Sequence, residues 1–204
     1  MKPSIHLVIA IFALIVCSTG CRNPINAKIE SRYYQAGDQA EKGGDLELAR
    51  KDYNRSYCNA VAGNLGFEAE AYPLYEWSRV TGYLGMYADA EQGFIKTLTL
   101  IDKAKGKADK LRAPTLCELA WLLFDTKEHA RAIPVFEAAV QELERRDALH
   151  TDPVSFAEFL DDYAESLKAA GFIGQAEAIA QRSAAIREQN QGASPKFKRR
   201  RYIT

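Results

Sequence analysis

Three carboxylate side chains near the end of the chain have the spacing best suited to chemistry. Glu158, Asp161 and Glu165 are three and four residues apart, so they share one face if this stretch is helical. A paired-carboxylate hydrolase could use such a set, provided that a cleft shields one carboxyl group and raises its pKa. A solvated helix face has the same pattern, and we favour that interpretation.

Residue types that other catalytic sites need are scarce. His129 and His150 belong to no cluster with metal-ligand spacing. The sequence has no phosphate-binding glycine loop, no dinucleotide-binding glycine pattern and no GxSxG elbow. We therefore predict that the protein is not an enzyme and uses neither a metal nor a cofactor.

The three carboxylates lie in residues 152–189, a stretch whose pattern predicts a hairpin of two helices. Small and apolar residues recur every three or four positions on both sides of Gly171, which would end the first helix. Such a hairpin leaves one apolar face uncovered and needs a neighbouring hairpin to bury it. The chain should therefore contain further copies.

The same register occurs four times. In the last copy, the small residue Ala164 is followed seven positions later by the turn residue Gly171 and five positions after that by the small residue Ala176, where two helices would cross. The crossing alanines of successive copies are 41, 42 and 44 residues apart. The equivalent triplets are Gly37, Gly44 and Ala49; Ser78, Gly85 and Ala90; and Ala120, Lys127 and Ala132. An aromatic residue follows the first three crossing alanines after four positions, as Tyr53, Phe94 and Phe136.

This order of small and aromatic residues resembles the tetratricopeptide repeat (TPR) family, and the long repeat resembles its kinesin-light-chain type. Two residues depart from the family's pattern. Lys127 occupies the position of a turn glycine, and Ala180 occupies the position of the fourth aromatic residue. The resemblance implies an all-α fold: a right-handed α-solenoid of about four TPR-like helix hairpins over residues 31–189. The third hairpin, with a nearly continuous apolar run from Leu119 to Phe124, should be the most buried.

The first twenty residues are typical of an export signal. An uncharged apolar run from Leu7 to Val16 follows Lys2 and is too short for an ordinary membrane span. Gly20 before Cys21 resembles a bacterial lipoprotein processing site, at which the cysteine receives a lipid. Residues 18–20 would also suit ordinary signal peptidase, which removes the leader without adding a lipid.

We accordingly predict a signal peptide over residues 1–20 and a lipidated tether over residues 21–30, with Cys21 as the lipidation site. The resemblance implies a location in the bacterial cell envelope. An aspartate directly after the lipidated cysteine would resemble an inner-membrane retention signal, but this chain has Arg22 there. We therefore expect a lipid anchor in the outer membrane, facing the periplasm. A soluble periplasmic protein is the alternative.

Residues 190–204 are strongly basic. They contain Lys196, Lys198 and Arg199–Arg201 and no acidic residue. We predict a disordered tail from the accompanying glycine, serine and proline. Three alternatives are binding to anionic lipid, to nucleic acid, which an exported protein seldom meets, and to the acidic groove of the same or a neighbouring molecule. We expect no nucleic-acid partner.

In tetratricopeptide proteins the first helix of each hairpin lines a concave groove. Carried over by register, the resemblance implies a groove that is aromatic in the middle and acidic toward the C-terminal end. Aromatic residues and arginine dominate interface energies, which supports a partner-binding role. The candidate partner-binding residues are Tyr34 and Asp38; Tyr75, Arg79 and Tyr83; Trp121 and Phe124; and Asp161 and Glu165.

We therefore expect a membrane-anchored scaffold or adaptor that binds a protein or peptide partner in its groove, with a role in cell-envelope assembly. One alternative is an envelope hydrolase that uses the acidic face. Another is a structural protein that forms a homo-oligomer through the last helix, where no further helix would cover Ile173, Ile179 and Ile186.

Overall fold

The structure, a computed structural model, describes residues 22–203, so the predicted signal peptide and the predicted lipidation site Cys21 lie outside the described residues. None of the helices in this range is long and apolar enough to cross a membrane. The helices are α1 (Pro24–Lys42), α2 (Leu46–Ala62), α3 (Phe67–Tyr83), α4 (Tyr87–Lys103), α5 (Arg112–Asp125), α6 (His129–Arg145), the single turn α7 (Ala148–Thr151), α8 (Pro153–Ala169) and α9 (Ile173–Gln189), with a short 3-10 helix at Asp109–Leu111.

The helices pack as four consecutive hairpins. Helix α1 packs against α2, α3 against α4, α5 against α6, and α8 against α9. Neighbouring hairpins stack through the contacts of α2 with α3, α4 with α5, and α6 with α8. Residues 22–203 contain no strand. The predicted all-α solenoid of four TPR-like hairpins is confirmed.

Side-chain size at the helix crossings explains why these sequences form hairpins. The crossing residues Ala49, Ala90 and Ala132 are fully buried, and Ala176 is nearly so. A larger side chain there would separate the two helices, because packed interiors have little spare space. The aromatic residues one turn later are also buried: Tyr53, Phe94 and Phe136.

Each hairpin turns on one residue with a left-handed backbone. Gly44, Gly85 and Gly171 have φ angles of 84°, 82° and 89°. Lys127 occupies the equivalent position in the third hairpin with a φ of 64°. A left-handed backbone costs a residue with a β-carbon roughly 1–2 kcal/mol. The third hairpin therefore has the same turn geometry as the others although Lys127 makes it less favourable.

Helix α5 lies at the centre of the fold. Every residue from Cys117 to Asp125 is buried, as expected for the most apolar hairpin. This run contains two carboxylates, Glu118 and Asp125, which are 5% and 6% exposed. Buried charges need partners, because desolvation of an ion is costly. The partners come from the C-terminal tail.

The first helix begins earlier than the sequence analysis expects. The Asn23 side chain caps it by accepting a hydrogen bond from the Ile25 amide at 2.9 Å, and Pro24 occupies the first turn, where a missing N–H is tolerated. Residues 24–30 are therefore helical, whereas we expected a tether there. The Asn23 amide also donates to the Gly63 carbonyl at 2.9 Å, which attaches the helix start to the end of α2.

The last helix is only partly uncovered. Ile173 is 50% exposed, as is its neighbour Phe172. Ile179 is partly buried, and Ile186 is 5% exposed because it packs into the main core cluster. The expectation of exposure therefore fails for Ile186, and self-association through this helix stays a prediction.

Candidate functional site

The first helices of the last three hairpins contact one extended segment of the chain. This segment is the tail, which reverses direction after α9 at Gly192, whose φ is 85°, and continues from Lys196 to Ile203. It contacts α8 first, then α5, then α3, so it runs antiparallel to the order of the hairpins. We expected disorder here, but these residues lie in the groove. The local sequence did not indicate this, because the residues that they contact are distant in the sequence.

Tyr202 is the most buried part of the tail, at 4% exposure. Its ring stacks on Tyr83 with centroids 4.9 Å apart, and its hydroxyl donates a hydrogen bond to Glu118. Its amide N–H donates to Asp125 at 2.8 Å, and its carbonyl accepts from the Tyr87 hydroxyl at 3.2 Å. Side chain and main chain of one tail residue are thus both recognised.

Arg199 is the charged anchor of the tail. Its guanidinium is 11% exposed and forms salt bridges of 2.6 Å with Asp125 and 2.5 Å with Asp162. It also lies over the rings of Trp121 and Phe124, at 5.2 and 5.3 Å from their centroids. A planar guanidinium can pair with carboxylates at its edge while its face covers an aromatic ring.

Phe197 forms the third contact. Its ring stacks on Trp121 with centroids 5.8 Å apart and planes inclined by 8°. The Ser155 hydroxyl accepts from its amide N–H and donates to its carbonyl, both at 3.2 Å. Half of the Phe197 side chain stays exposed, so this contact is less enclosed than that of Tyr202.

Burial strongly affects the acidic residues beneath the tail. It raises the pKa of Glu118 to about 7, although the Tyr202 hydrogen bond and the positive charges of Arg79 and Arg199 act in the opposite direction. Burial also raises the pKa of Asp162, against the lowering effect of Arg199. Among residues 22–203, the tail supplies every hydrogen-bond and salt-bridge partner of the Glu118 and Asp125 carboxylates.

The N-terminal half of the groove has its own charge network. Arg79 forms salt bridges of 2.7 Å with both Glu41 and Glu76. The Tyr34 hydroxyl donates to Glu76 at 3.5 Å, and burial raises the Glu76 pKa. One arginine thus faces two carboxylates, and this half of the groove is acidic as well.

The predicted site residues fall into three groups. Tyr83, Trp121 and Phe124 contact the tail, as described above. Tyr34, Tyr75 and Arg79 lie further along the groove, with Tyr75 at the wall of a cavity beside the tail. Asp38, Asp161 and Glu165 make no contact with residues 190–203, the described part of the tail.

Partner binding by these three residues stays a prediction, and their own contacts are as follows. Asp38 is paired with Lys42 at 2.6 Å on its own helix. Asp161 accepts a hydrogen bond from Ser183 at 2.6 Å and forms a salt bridge with Arg187, both on α9. Glu165 is exposed. The structure therefore directs Asp161 toward its hairpin partner rather than into the groove.

Sequence reasoning missed the three carboxylates that do contact the tail: Glu118, Asp125 and Asp162. Asp125 and Asp162 each follow a predicted groove residue by one position. One residue rotates a helix position by about 100°, so a small error in the register moves a side chain to another face. One signal was available in the sequence. All three acids lie in the first helices of their hairpins, and Glu118 and Asp125 directly flank the apolar run from Leu119 to Phe124.

A cavity of about 340 Å³ remains beside the tail. Its wall combines aromatic and aliphatic side chains with the charged residues Lys110, Glu118, Arg146 and Asp152. The side chains that enclose it include Tyr75, Cys117, Trp121, Phe156, Phe159 and Phe197.

The described residues hold no cluster of histidine, cysteine and carboxylate side chains that could bind a metal ion. The carboxylates of the hydrolase alternative, Glu158, Asp161 and Glu165, are all exposed. None of the three has the shielded environment that such a hydrolase would require.

Comparison with known proteins shows a shared fold. BtubC (BKLC) from P. vanneervenii is similar, with a TM-score of 0.69 and 20% identity, over 86% of this chain and 69% of that one. A putative kinesin light chain from Podospora anserina with nearly identical TPR-like repeats gives a TM-score of 0.62 and 15% identity, over 92% of this chain and 87% of that one. No protein-family profile and no curated protein sequence matches the chain. The resemblance to long tetratricopeptide repeats is thus confirmed for the fold.

Proposed function

We propose that this protein is a scaffold or adaptor that binds an extended segment of a protein partner in its concave groove. The observation that carries the proposal is that the groove already holds such a segment, its own tail. Tyr202 and Arg199 are almost enclosed there, Tyr202 by stacking on Tyr83 and Arg199 by salt bridges to Asp125 and Asp162.

The contacts to the tail are of the kind that a peptide-binding groove needs. Asp125, Ser155 and Tyr87 bind main-chain atoms, which every peptide possesses. Trp121 and Tyr83 stack on side chains, which distinguish one peptide from another. Buried aromatic and arginine anchors typically dominate the energy of such interfaces.

We further propose that a lipid on Cys21 holds the groove at a membrane, with the outer membrane facing the periplasm as the location and cell-envelope assembly as the role. The N-terminal sequence supports this part of the proposal. Because α1 begins at Pro24, a lipid on Cys21 would hold the first hairpin close to the bilayer. Confinement to a surface raises the local concentration of any bound partner. A soluble periplasmic scaffold is the alternative.

The anchor is tested by the intact mass of the protein extracted from bacterial membranes. We expect a mass that begins at an acylated Cys21, and an unprocessed or soluble product for Cys21→Ser. A cleaved chain without lipid in the wild type would support the soluble alternative. An unmodified full-length chain would contradict export.

The groove is tested by a photo-reactive amino acid placed at Tyr75, with the exposed Glu165 position as the matched control. We expect crosslinks to one dominant partner from position 75 and not from position 165. Equal crosslinking from both positions, or none from position 75, would contradict partner binding in the groove.

The two alternatives receive less support. The hydrolase requires a shielded carboxyl group, and Glu158, Asp161 and Glu165 are exposed. Self-association has the exposed Phe172 and Ile173 in its favour, each 50% exposed. Light scattering at increasing concentration tests it, with Ile173→Glu as the variant that should prevent it.

A further inference from the structure

We infer that the partner of this groove is a basic peptide segment in which an arginine follows an aromatic residue by two positions and precedes a tyrosine by three. The inference rests on the proposed function and adds the chemistry of the partner. The template is the tail, whose three anchors are Phe197, Arg199 and Tyr202.

The charge of the groove selects a basic partner. The carboxylates of Glu118, Asp125 and Asp162 surround the arginine and tyrosine positions, and burial shields them from water and counter-ions. Further along, Glu41 and Glu76 outnumber Arg79. An acidic peptide would add like charges to this wall and pay for their desolvation.

The spacing follows from fixed positions in two helices, α5 and α8. Trp121 stacks on the aromatic residue, Asp125 and Asp162 bind the arginine, and Glu118 accepts from the tyrosine hydroxyl. Phenylalanine in place of the tyrosine would leave Glu118 without its partner, and a buried acceptor that loses its donor is costly.

Gly82 makes room for the tyrosine ring. A β-carbon on this residue would lie 2.8 Å from Cδ1 of Tyr202, closer than packed atoms approach. The groove is thus shaped for a large ring at this position, and we expect the partner's tyrosine to occupy the same space.

The tail leaves part of the site unused, so a partner can outcompete it. Next to Phe197, a cavity of about 340 Å³ is left unfilled by the tail residues that the structure describes. Phe197 itself is 49% exposed. A partner with an additional apolar side chain at this point would gain contacts that the tail lacks.

The tail of a second copy is a less favourable occupant. Residues 190–195 already connect α9 to the groove of the same molecule, which gives the tail a high effective concentration there. A second copy offers the same contacts without that advantage. An external segment must therefore bind better than the tail, and the unused contacts beside Trp121 supply the means.

The experiment uses a fluorescent peptide with the sequence of residues 195–203 and the full chain carrying Arg199→Ala and Tyr202→Ala, which frees the groove. We expect this variant to bind the peptide at least about tenfold more tightly than wild type does, because the wild-type tail competes. A peptide of identical composition, in which no arginine stands three residues before a tyrosine, should bind at least about tenfold more weakly. Asp125→Asn in the same background should reduce binding of the first peptide.

Equal affinity for both peptides would overturn the inference, because charge alone would then explain binding. A selection from random peptides with the same variant separates this inference from the proposed function. Groove-dependent peptides of other chemistry would overturn the basic aromatic pattern and leave the scaffold function standing. The absence of any groove-dependent peptide would contradict both. A wild-type dimer that disappears in the double variant would show that the occupant is a second copy.

Discussion

The ring of Tyr202 occupies the space that a side chain on Gly82 would fill. The two residues are far apart in the sequence, and Gly82 lies in α3 with an ordinary helical backbone. Glycine is unfavourable in a helix interior by roughly 0.5–1 kcal/mol relative to alanine. The groove thus keeps a locally unfavourable residue at the position where the tail inserts its tyrosine.

Gly82→Ala should therefore release the tail without altering it. We expect trypsin to cut after Arg199, Arg200 and Arg201 much faster than in wild type, because an undocked segment is accessible to the protease. The control is Gly174→Ala in α9, where a β-carbon meets no atom within 4 Å. Equal protection of the tail in both variants would contradict its docking against Gly82.

Two arginines of the tail should differ sharply in their contribution. The Arg199 side chain is 11% exposed and pairs with two carboxylates, whereas Arg201 is 54% exposed. We expect Arg199→Ala to weaken docking by about 2 kcal/mol and Arg201→Ala by less than about 1 kcal/mol, since exposed pairs contribute little. The hydrogen-exchange rate of the Tyr202 amide measures how far each variant weakens docking of the tail. Equal effects of the two variants would show that docking depends only on the total charge of the tail.

Glu118 should make stability depend on pH. Its pKa rises from 4.5 to about 7 on folding, so the folded state holds a proton that the unfolded state has released between these values. The corresponding stabilisation is complete below pH 4.5 and is lost as the pH rises to about 7. The expected slope is up to about 1.4 kcal/mol per pH unit.

Glu118→Gln isolates this effect, because the neighbouring Glu76, Arg79 and Arg199 remain in place. Urea unfolding between pH 5 and 8 should show wild-type stability falling relative to the variant until about pH 7. A constant difference across this range would contradict a raised pKa of Glu118.

Lys127→Gly should stabilise the protein. The φ of 64° at Lys127 is strained for a residue with a β-carbon and not for glycine. The substitution also removes the ammonium group that lies 5.6 Å from the Phe124 ring centroid. Lys127→Ala removes the same group and keeps the strain, so we expect the glycine variant to exceed it by about 1 kcal/mol in unfolding free energy. Equal stabilities would contradict the strain.

The sequence predicted the features that depend on residues close to one another in the chain. The crossing alanines, the aromatic residues four positions later and the turn glycines are separated by few residues, and each depends on helix geometry that every hairpin shares. Their spacing predicted four hairpins and the most buried one. The first helix was placed too late, because the cap at Asn23 depends on a bond to Gly63 as well as on its own sequence.

The candidate site was only partly predictable, because some of its contacts depend on residues that are distant in the sequence. Tyr83, Trp121 and Phe124 were found because the repeat register assigns first helices to the groove. Asp162 was missed and Asp161 chosen, since a rotation of about 100° separates neighbouring residues and periodicity alone does not resolve it.

The sequence by itself determined the repeat, its register and the charges of the body and the tail. Only the tertiary structure decided that these charges meet within one molecule. Tyr202 and Glu118 are 84 positions apart, and Arg199 and Asp162 are 37 apart. No local pattern encodes such pairs, because they depend on how successive hairpins stack and on where the chain returns after the last helix.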